Sequence, residues 1–165
     1  MRLRMLALVA LCLPASLATA ADPAADPARD MAPTDMAPGD VAIVDFAVAD
    51  PLTGEPGDAL RGRSTFANRK LGNCLACHGN TDLLGEELFH GEVGPVLDGV
   101  GSRWSPGELR AIVVNSKAVF GDHTIMPAFY RITGFNRPLD TFEGQTILSA
   151  QQVEDLVAYL TTLTE

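Results

Sequence analysis

Basic residues are scarce in this 165-residue chain, which has 12 Lys and Arg against 21 Asp and Glu and a formal net charge of −9. Phosphate binding requires clustered Lys and Arg, so this balance disfavours a nucleic-acid partner. An acidic surface instead favours a protein partner with a basic face. With 47% hydrophobic and 20% charged residues, the composition is typical of one soluble globular domain.

Cysteine is also scarce, with three in the chain. Cys12 lies in the N-terminal leader described below, which leaves Cys74 and Cys77. A disulfide between two residues so close together would close a very small loop and stabilise little. The absence of a second cysteine pair also argues against a zinc site. Neither a structural disulfide nor a zinc site therefore explains this pair of cysteines.

No apolar run reaches the ~20 residues that span a membrane. The run at residues 5–13 follows two arginines and precedes an Ala-Thr-Ala sequence that ends at Ala20. This order is typical of a secretory signal peptide. We therefore expect residues 1–20 to be a signal peptide that is cleaved after Ala20, and the mature protein to be periplasmic.

Residues 21–40 are a low-complexity run of Ala, Asp and Pro. Their polarity and prolines predict a disordered tail. Residues 41–48, VAIVDFAV, are abruptly apolar and begin the predicted domain, which extends over residues 41–165. They are compatible with an extended segment that packs either on the domain or on a partner.

Alternating strand patterns are absent, and the periodic segments of the sequence have helical spacing. Pro56 and Asp58 are both candidate helix-start residues, and Gly72 is a candidate end for that helix. Ser105 and Ser149 each begin a capping box that precedes apolar residues at helical spacing. These patterns predict an all-α fold with few helices and long loops, the longest at residues 79–104. A loop of that length fits a small domain if a large rigid ligand replaces the missing core.

The segment GNCLACHGN contains the pattern C-x-x-C-H. Two thiols at this spacing can each add to a vinyl group of a porphyrin, and the histidine that follows can supply a nitrogen to the iron. The pattern predicts one covalently attached haem c, with thioethers at Cys74 and Cys77 and His78 as proximal ligand. A redox dithiol is disfavoured because nothing indicates a βαβ framework.

Met126 is the predicted distal ligand of the iron. It lies in HTIMPAFY, a loop 48 residues after His78, and Pro127 stiffens the backbone behind it. His123 is the main rival, whereas His90 is expected to be a surface or loop histidine. With His and Met both bound, the iron has no open position, which predicts one-electron transfer rather than oxygen or peroxide chemistry.

Two further residues are candidates for the haem environment, and each has a simpler alternative. Pro95 could direct its carbonyl group at the free nitrogen of His78, or it could be a turn proline. Arg103 could pair with a haem propionate, or it could be a solvated surface arginine.

The chain resembles class I cytochromes c in the order of its motifs, namely Gly62 and Phe66, C-x-x-C-H, Gly94-Pro95, Met126-Pro127 and VAYL near the C-terminus. The resemblance implies that the first and last helices cross and that Gly62 allows their close approach. It also implies that Pro95 orients His78 and that Arg103 contacts a propionate.

Five segments are similar to SoxX, the family of small monohaem cytochrome subunits of SoxAX complexes: LTGEPGD, RKLGNCLACH, GPVLDGVGSRW, IMPAFYR and LSAQQVEDLVAYLTTL. This similarity runs from about residue 41 to the C-terminus. It implies a heterodimer with a SoxA-type cytochrome subunit that acts as an L-cysteine S-thiosulfotransferase, joining thiosulfate to a cysteine of a SoxY-type carrier protein.

The catalytic cysteine of that family belongs to SoxA, so the resemblance implies no catalytic residue in this chain. The chain would accept electrons and pass them to a soluble cytochrome. The alternative is a free monohaem cytochrome c that shuttles electrons for another periplasmic redox enzyme.

Overall fold

A computed structural model of the protein describes residues 35–164, which form helices joined by long loops. The helices are α1 (Ala59–Ala67), α2 (Val100–Arg103), α3 (Pro106–Phe120) and α4 (Ala150–Thr162). Short 3₁₀ turns occur at Cys74–Ala76, Thr81–Leu83 and Asp140–Phe142. The described residues contain no β-sheet, and the predicted all-α class is confirmed. The predicted signal peptide and residues 21–34 lie outside the described residues.

Both predicted capping boxes are present. The Ser105 hydroxyl accepts from the Glu108 N–H at 3.4 Å, and the Glu108 carboxylate accepts from the Ser105 N–H at 2.7 Å. At α4, the corresponding distances between Ser149 and Gln152 are 3.2 and 2.9 Å. These reciprocal bonds satisfy N–H groups that a helix start otherwise leaves unpaired.

Of the two candidate start residues, Asp58 rather than Pro56 caps helix α1, and its carboxylate accepts from the Arg61 N–H at 2.9 Å. The predicted end at Gly72 was wrong, because the helix ends at Ala67. The Asn68 side chain accepts from the Lys70 N–H at 2.9 Å. This local bond offers the backbone an alternative to the helix, as asparagine side chains commonly do.

The predicted loop at residues 79–104 contains two helical pieces, Thr81–Leu83 and α2, so the expectation of loop throughout was wrong. Helix α2 packs on the end of α4, and the Gly101 N–H donates to the Leu163 carbonyl at 2.9 Å. A Cβ atom at Gly101 would lie 2.8 Å from the Thr161 carbonyl carbon. A short helix that depends on such tertiary contacts leaves little periodic signal in the sequence.

Helices α1 and α4 cross at Gly62, as the family resemblance implies. A Cβ atom on Gly62 would lie 2.8 Å from the Tyr159 Cβ and would collide with the Asp155 backbone. Beside this contact, Arg61 Nε donates to the Asp155 carboxylate at 2.7 Å. The Phe66 and Tyr159 rings meet edge to face, with centroids 5.5 Å apart. The crossing places the segment after α1, which carries the cysteines, next to the core.

A buried ion pair joins α3 and α4. Arg110 Nε and Nη2 donate to the two carboxylate oxygens of Glu154 at 2.8 and 2.9 Å. Glu154 also accepts from the Leu52 N–H at 2.9 Å, and Arg110 Nη1 donates to the Val48 carbonyl at 2.8 Å. Because the fork geometry and the backbone partners satisfy both charged groups, the pair can be buried. It also fastens the N-terminal segment to the helices.

Residues 35–40 differ from the predicted disordered tail, because they are attached to the domain. The Met36 N–H donates to the Leu52 carbonyl at 2.7 Å, and the Tyr130 hydroxyl donates to the Met36 carbonyl at 2.8 Å. The Met36 side chain packs against the hydrophobic core. A methionine within an Ala-Asp-Pro run does not reveal such a contact in the sequence.

The apolar segment at residues 41–48 packs on the domain through Val48, whose N–H donates to the Gly107 carbonyl at 3.0 Å. A tight turn closed by a bridge between Val44 and Ala47 leaves Val44 65% exposed and Phe46 59% exposed. Among residues 35–164, no helix combines the length and apolarity that crossing a membrane requires.

Candidate haem site

The C-x-x-C-H motif forms one tight turn that begins at Asn73, which has a left-handed φ of 49°. The Cys74 carbonyl accepts from the Cys77 N–H at 3.1 Å and from the His78 N–H at 2.9 Å. Both cysteines are half-buried and neither forms a disulfide. The backbone therefore holds the two thiols and the imidazole together on a single turn.

The His78 ring is oriented by the backbone of residues 94 and 95. Its Nδ1 lies 2.7 Å from the Pro95 carbonyl oxygen. A carbonyl only accepts hydrogen bonds, so Nδ1 carries the proton and Nε2 keeps a lone pair that can bind a metal. The backbone contact predicted for Pro95 is therefore present, while its role toward a haem ligand remains a prediction.

Gly94 provides the space for this ring. A Cβ atom on Gly94 would lie 2.7 Å from His78 Nδ1 and 2.8 Å from Nε2, too close for any real side chain. The Gly94 N–H also donates to the Cys77 carbonyl at 2.7 Å, which ties the loop to the motif. A glycine is thus required here by close approach of the ring rather than by a turn.

Burial raises the pKa of the Cys74 thiol to about 12, so the thiol is neutral at physiological pH. A thioether is also neutral, and this environment therefore suits covalent attachment to a porphyrin. An apolar surrounding of this kind disfavours a reactive thiolate in the folded protein.

Met126 lies in the loop that follows α3, half-buried against the hydrophobic core. Its carbonyl accepts from the Ser116 hydroxyl and from Lys117 Nζ, each at 2.7 Å. Sequence reasoning missed these two residues, which occupy ordinary polar positions near the end of a helix. The one signal in the sequence was Asn115, a residue with low helix propensity that precedes them.

The rival ligands have other surroundings. His123 is exposed, and its ring lies beside Gly121, at 3.1 Å from the position of a Cβ atom there. His90 lies in a loop as expected but is half-buried, and its Nδ1 accepts from the Asn80 N–H at 3.1 Å. Its remaining nitrogen is buried without a partner among the described residues.

Arg103 is the last residue of α2, and it is exposed. Its Nη1 donates to the Asp98 carbonyl at 2.8 Å, which fixes the guanidinium on the loop before the helix. The other nitrogens have no contact within the described residues that would compete with a carboxylate. The predicted pairing with a propionate remains a prediction.

The surroundings of His78 and Met126 suit a macrocycle. Val96, next to Pro95, is 57% exposed, and Ile125, next to Met126, is 73% exposed. Apolar side chains beside candidate iron ligands provide the surface that a porphyrin covers. Together with two thiols, an imidazole with a free lone pair and a thioether, the residues present fit a haem c.

Comparison with known proteins agrees with this donor set, since residues 59–164 match the family described as cytochrome c. The chain belongs to the cytochrome c family. It therefore has a cytochrome c electron-transfer domain, and covalently bound haem c is its cofactor. A search of curated proteins found no match.

Among solved structures, a chain of "Crystal structure of SoxXA from P. pantotrophus" is 45% identical, with a TM-score of 0.73. The match covers 79% of the present chain and 99% of that chain. The predicted resemblance to SoxX and the class I cytochrome c fold are thereby confirmed. The site residues predicted from the sequence remain predictions.

Proposed function

We propose that this chain is the electron-accepting haem subunit of a periplasmic heterodimer that oxidatively joins thiosulfate to a cysteine of a carrier protein. The observation that carries the proposal is the 45% identity to a SoxXA chain, over 99% of that chain's length. An identity this high over a whole subunit favours a shared partner as well as a shared fold. The proposed partner is a SoxA-type cytochrome subunit.

The haem environment supports electron transfer rather than substrate chemistry. Bound haem c supplies an iron that changes by one electron. Cys74 and Cys77 would hold the macrocycle, His78 would provide a lone pair at Nε2, and Met126 would provide a soft thioether that favours ferrous iron. With His78 and Met126 both bound to the iron, these residues would exclude water and substrate from it.

The balance of the proposed reaction explains why an electron acceptor is needed. Forming a sulfur–sulfur bond between thiosulfate and a thiol breaks the S–H bond and releases one proton and two electrons. The present chain takes these electrons singly and passes them to a soluble cytochrome. Both of its described cysteines belong to the haem motif, so the catalytic thiol is assigned to the SoxA-type partner.

Isolation from the native host tests the partner. The chain is tagged at its C-terminus and purified gently from cells grown on thiosulfate, and haem-stained chains that co-purify are identified by mass spectrometry. We expect a stoichiometric second cytochrome with a reactive cysteine. We also expect thiosulfate and a cysteine-bearing carrier to reduce the haem in this complex but not in the isolated chain.

A clean monomer that accepts electrons from an unrelated reductase would overturn the heterodimer and support the free shuttle. A complex whose haem stays oxidised with thiosulfate and carrier would retain the partner but overturn the thiosulfate reaction. The two results thus test the heterodimer and the thiosulfate reaction independently.

A further inference from the structure

An interruption in helix α3 lies directly beside the loop that carries Met126. Asn115 has φ −150° and ψ 82°, which are not helical values, although helical residues continue to Phe120. The Asn115 side chain does not explain the interruption, since its amide oxygen is buried without a partner among residues 35–164. The interruption instead coincides with contacts of the backbone on either side of it.

Two backbone carbonyls just before the interruption accept hydrogen bonds from the segment after Met126. The Val113 carbonyl accepts from the Phe129 N–H at 3.1 Å, and the Val114 carbonyl accepts from the Tyr130 N–H at 3.2 Å. Breaks in a helix ladder make carbonyls available to donors outside the helix. Here the two carbonyls fix the chain just beyond Met126.

The two residues after the interruption fix Met126 itself. The Ser116 hydroxyl is fully buried and donates to the Met126 carbonyl at 2.7 Å. Lys117 Nζ donates to the same carbonyl at 2.7 Å and also to the Thr124 carbonyl. One carbonyl thus accepts from two side chains, one of them charged, and charged donors form the stronger bonds.

We propose that Ser116 and Lys117, presented by the interruption at Asn115, are positioning residues that hold the Met126 backbone so that its thioether stays bound to the haem iron. The inference rests on the proposed ligation of iron by Met126. A flexible methionine loses rotational freedom on binding, and a fixed backbone reduces the freedom that must be lost. Without the two donors, the loop opens more often and the iron becomes accessible to external ligands.

The test uses the intact holoprotein with Ser116→Ala, Lys117→Met and both changes together. Lys117→Met keeps the length of the side chain and removes its donors, and Lys117→Arg restores a charged donor. Lys70→Met and Ser64→Ala are matched controls, because both residues are exposed and neither contacts this loop. Two readouts report on the iron: the methionine-to-ferric-iron charge-transfer absorption during denaturant titration, and carbon monoxide binding to the reduced protein.

We expect the charge-transfer absorption of the double variant to disappear at a lower denaturant concentration than its helical circular dichroism. We expect carbon monoxide binding to become faster by about tenfold or more, since each lost hydrogen bond changes the open population several-fold. Lys117→Arg should recover part of the change, and both controls should behave as the parent. The single Ser116→Ala variant provides the same comparison if the double variant does not fold.

We call the bonds of Ser116 and Lys117 to the Met126 carbonyl the clamp. The variant Met126→Ala distinguishes an error in the clamp from an error in the ligation of iron by Met126. If this variant loses the absorption while the double variant keeps both parental values, the clamp is wrong and the ligation stands. If Met126→Ala keeps the absorption, another residue binds the iron, and both inferences are overturned. An earlier loss of circular dichroism together with the absorption would show that Ser116 and Lys117 only stabilise the fold.

Discussion

Met126 is the residue on which the electron-carrier proposal depends most directly. Replacing it in Met126→Ala should open the iron to carbon monoxide and lower the reduction potential, because the soft thioether favours ferrous iron. We expect a decrease that is a sizeable fraction of the roughly 0.8 V over which axial ligands set haem potentials. Potentiometric titration of the purified holoprotein measures it.

His123→Ala is the matched control, since His123 is the other candidate ligand in the same loop and is exposed. It should leave the potential and the spectrum unchanged. The opposite pattern, with a normal Met126→Ala and an altered His123→Ala, would assign the iron bond to the histidine.

Gly94 is a residue at which one added methyl group should disturb the proximal side. In Gly94→Ala the new Cβ would start 2.7 Å from His78 Nδ1, so the ring must shift away from the Pro95 carbonyl. Overpacking of this kind typically costs about 1–3 kcal/mol of stability. We expect that loss in denaturant unfolding, together with a raised reduction potential, because a weaker hydrogen bond makes the imidazole a less basic ligand that stabilises ferric iron less.

Gly85→Ala is the control for that change, because a Cβ atom at Gly85 meets nothing within 4 Å. Equal effects of the two variants would show that loop flexibility, rather than contact with the His78 ring, determines the outcome.

At the scale of elements, the crossing of α1 and α4 determines whether the domain forms. Gly62→Ala would place a Cβ atom 2.8 Å from the Tyr159 Cβ and against the Asp155 backbone, so the helices must separate. We expect a loss of about 3 kcal/mol, at the upper end of typical overpacking, because backbone cannot move aside as a side chain can. Urea unfolding of the holoprotein, with Ser64→Ala on the exposed face of α1 as control, measures the difference. A destabilisation no larger than that of the control would mean that the crossing is looser than described.

The helix starts could be predicted from the sequence more reliably than the helix ends. Ser105 and Ser149 cap their helices through bonds to residues three positions away. A short stretch of sequence therefore contains every residue that the capping box needs. The end of α1 depends on how the Asn68 side chain bonds to the next residues, and the sequence offered Gly72 as an equally good stop. Helix α2 depends on contacts with α4, which no local pattern contains.

The same distinction applies to the haem site. The thiols and imidazole of the motif are contiguous, so their chemistry could be predicted directly. The contact between His78 and Pro95 joins residues 17 positions apart, so the residues alone left a turn proline as an alternative, and the family resemblance favoured the contact. The bonds of Ser116 and Lys117 to Met126 follow from an interruption in α3 that the apolar periodicity of the helix does not reveal.

At the scale of the whole molecule, a charged network should make stability depend on acid. The Asp82 carboxylate accepts from Arg63 Nε at 2.7 Å and from the Tyr159 hydroxyl at 2.8 Å, and these bonds hold the pKa of Asp82 below its ordinary value. Arg63 likewise lowers the pKa of Glu86. A lowered pKa in the folded state stabilises the protein above the unfolded-state value of 3.8, and this stabilisation is lost as the pH falls from there through the folded-state pKa.

We therefore expect the free energy of unfolding to decrease below about pH 4, and to decrease less steeply in Asp82→Asn. Chemical denaturation at a series of pH values, from about pH 6 to about pH 2.5, measures both slopes. Asp122→Asn removes an exposed carboxylate that has no part in this network and serves as control. An acid dependence in Asp82→Asn that equals that of the parent would exclude this network as its source.

The crossing of α1 and α4 also governs the order in which the molecule is assembled. It joins residues as far apart as Arg61 and Asp155, which are 94 positions apart along the chain. Because closing so long a loop costs chain entropy before the stabilising contacts form, these contacts form late in folding. Cys74 and Cys77 lie inside that loop, so we expect both thiols to stay accessible until α4 packs on α1. On this expectation, the C-terminal residues set the interval in which two thiols near the middle of the chain can be joined to haem.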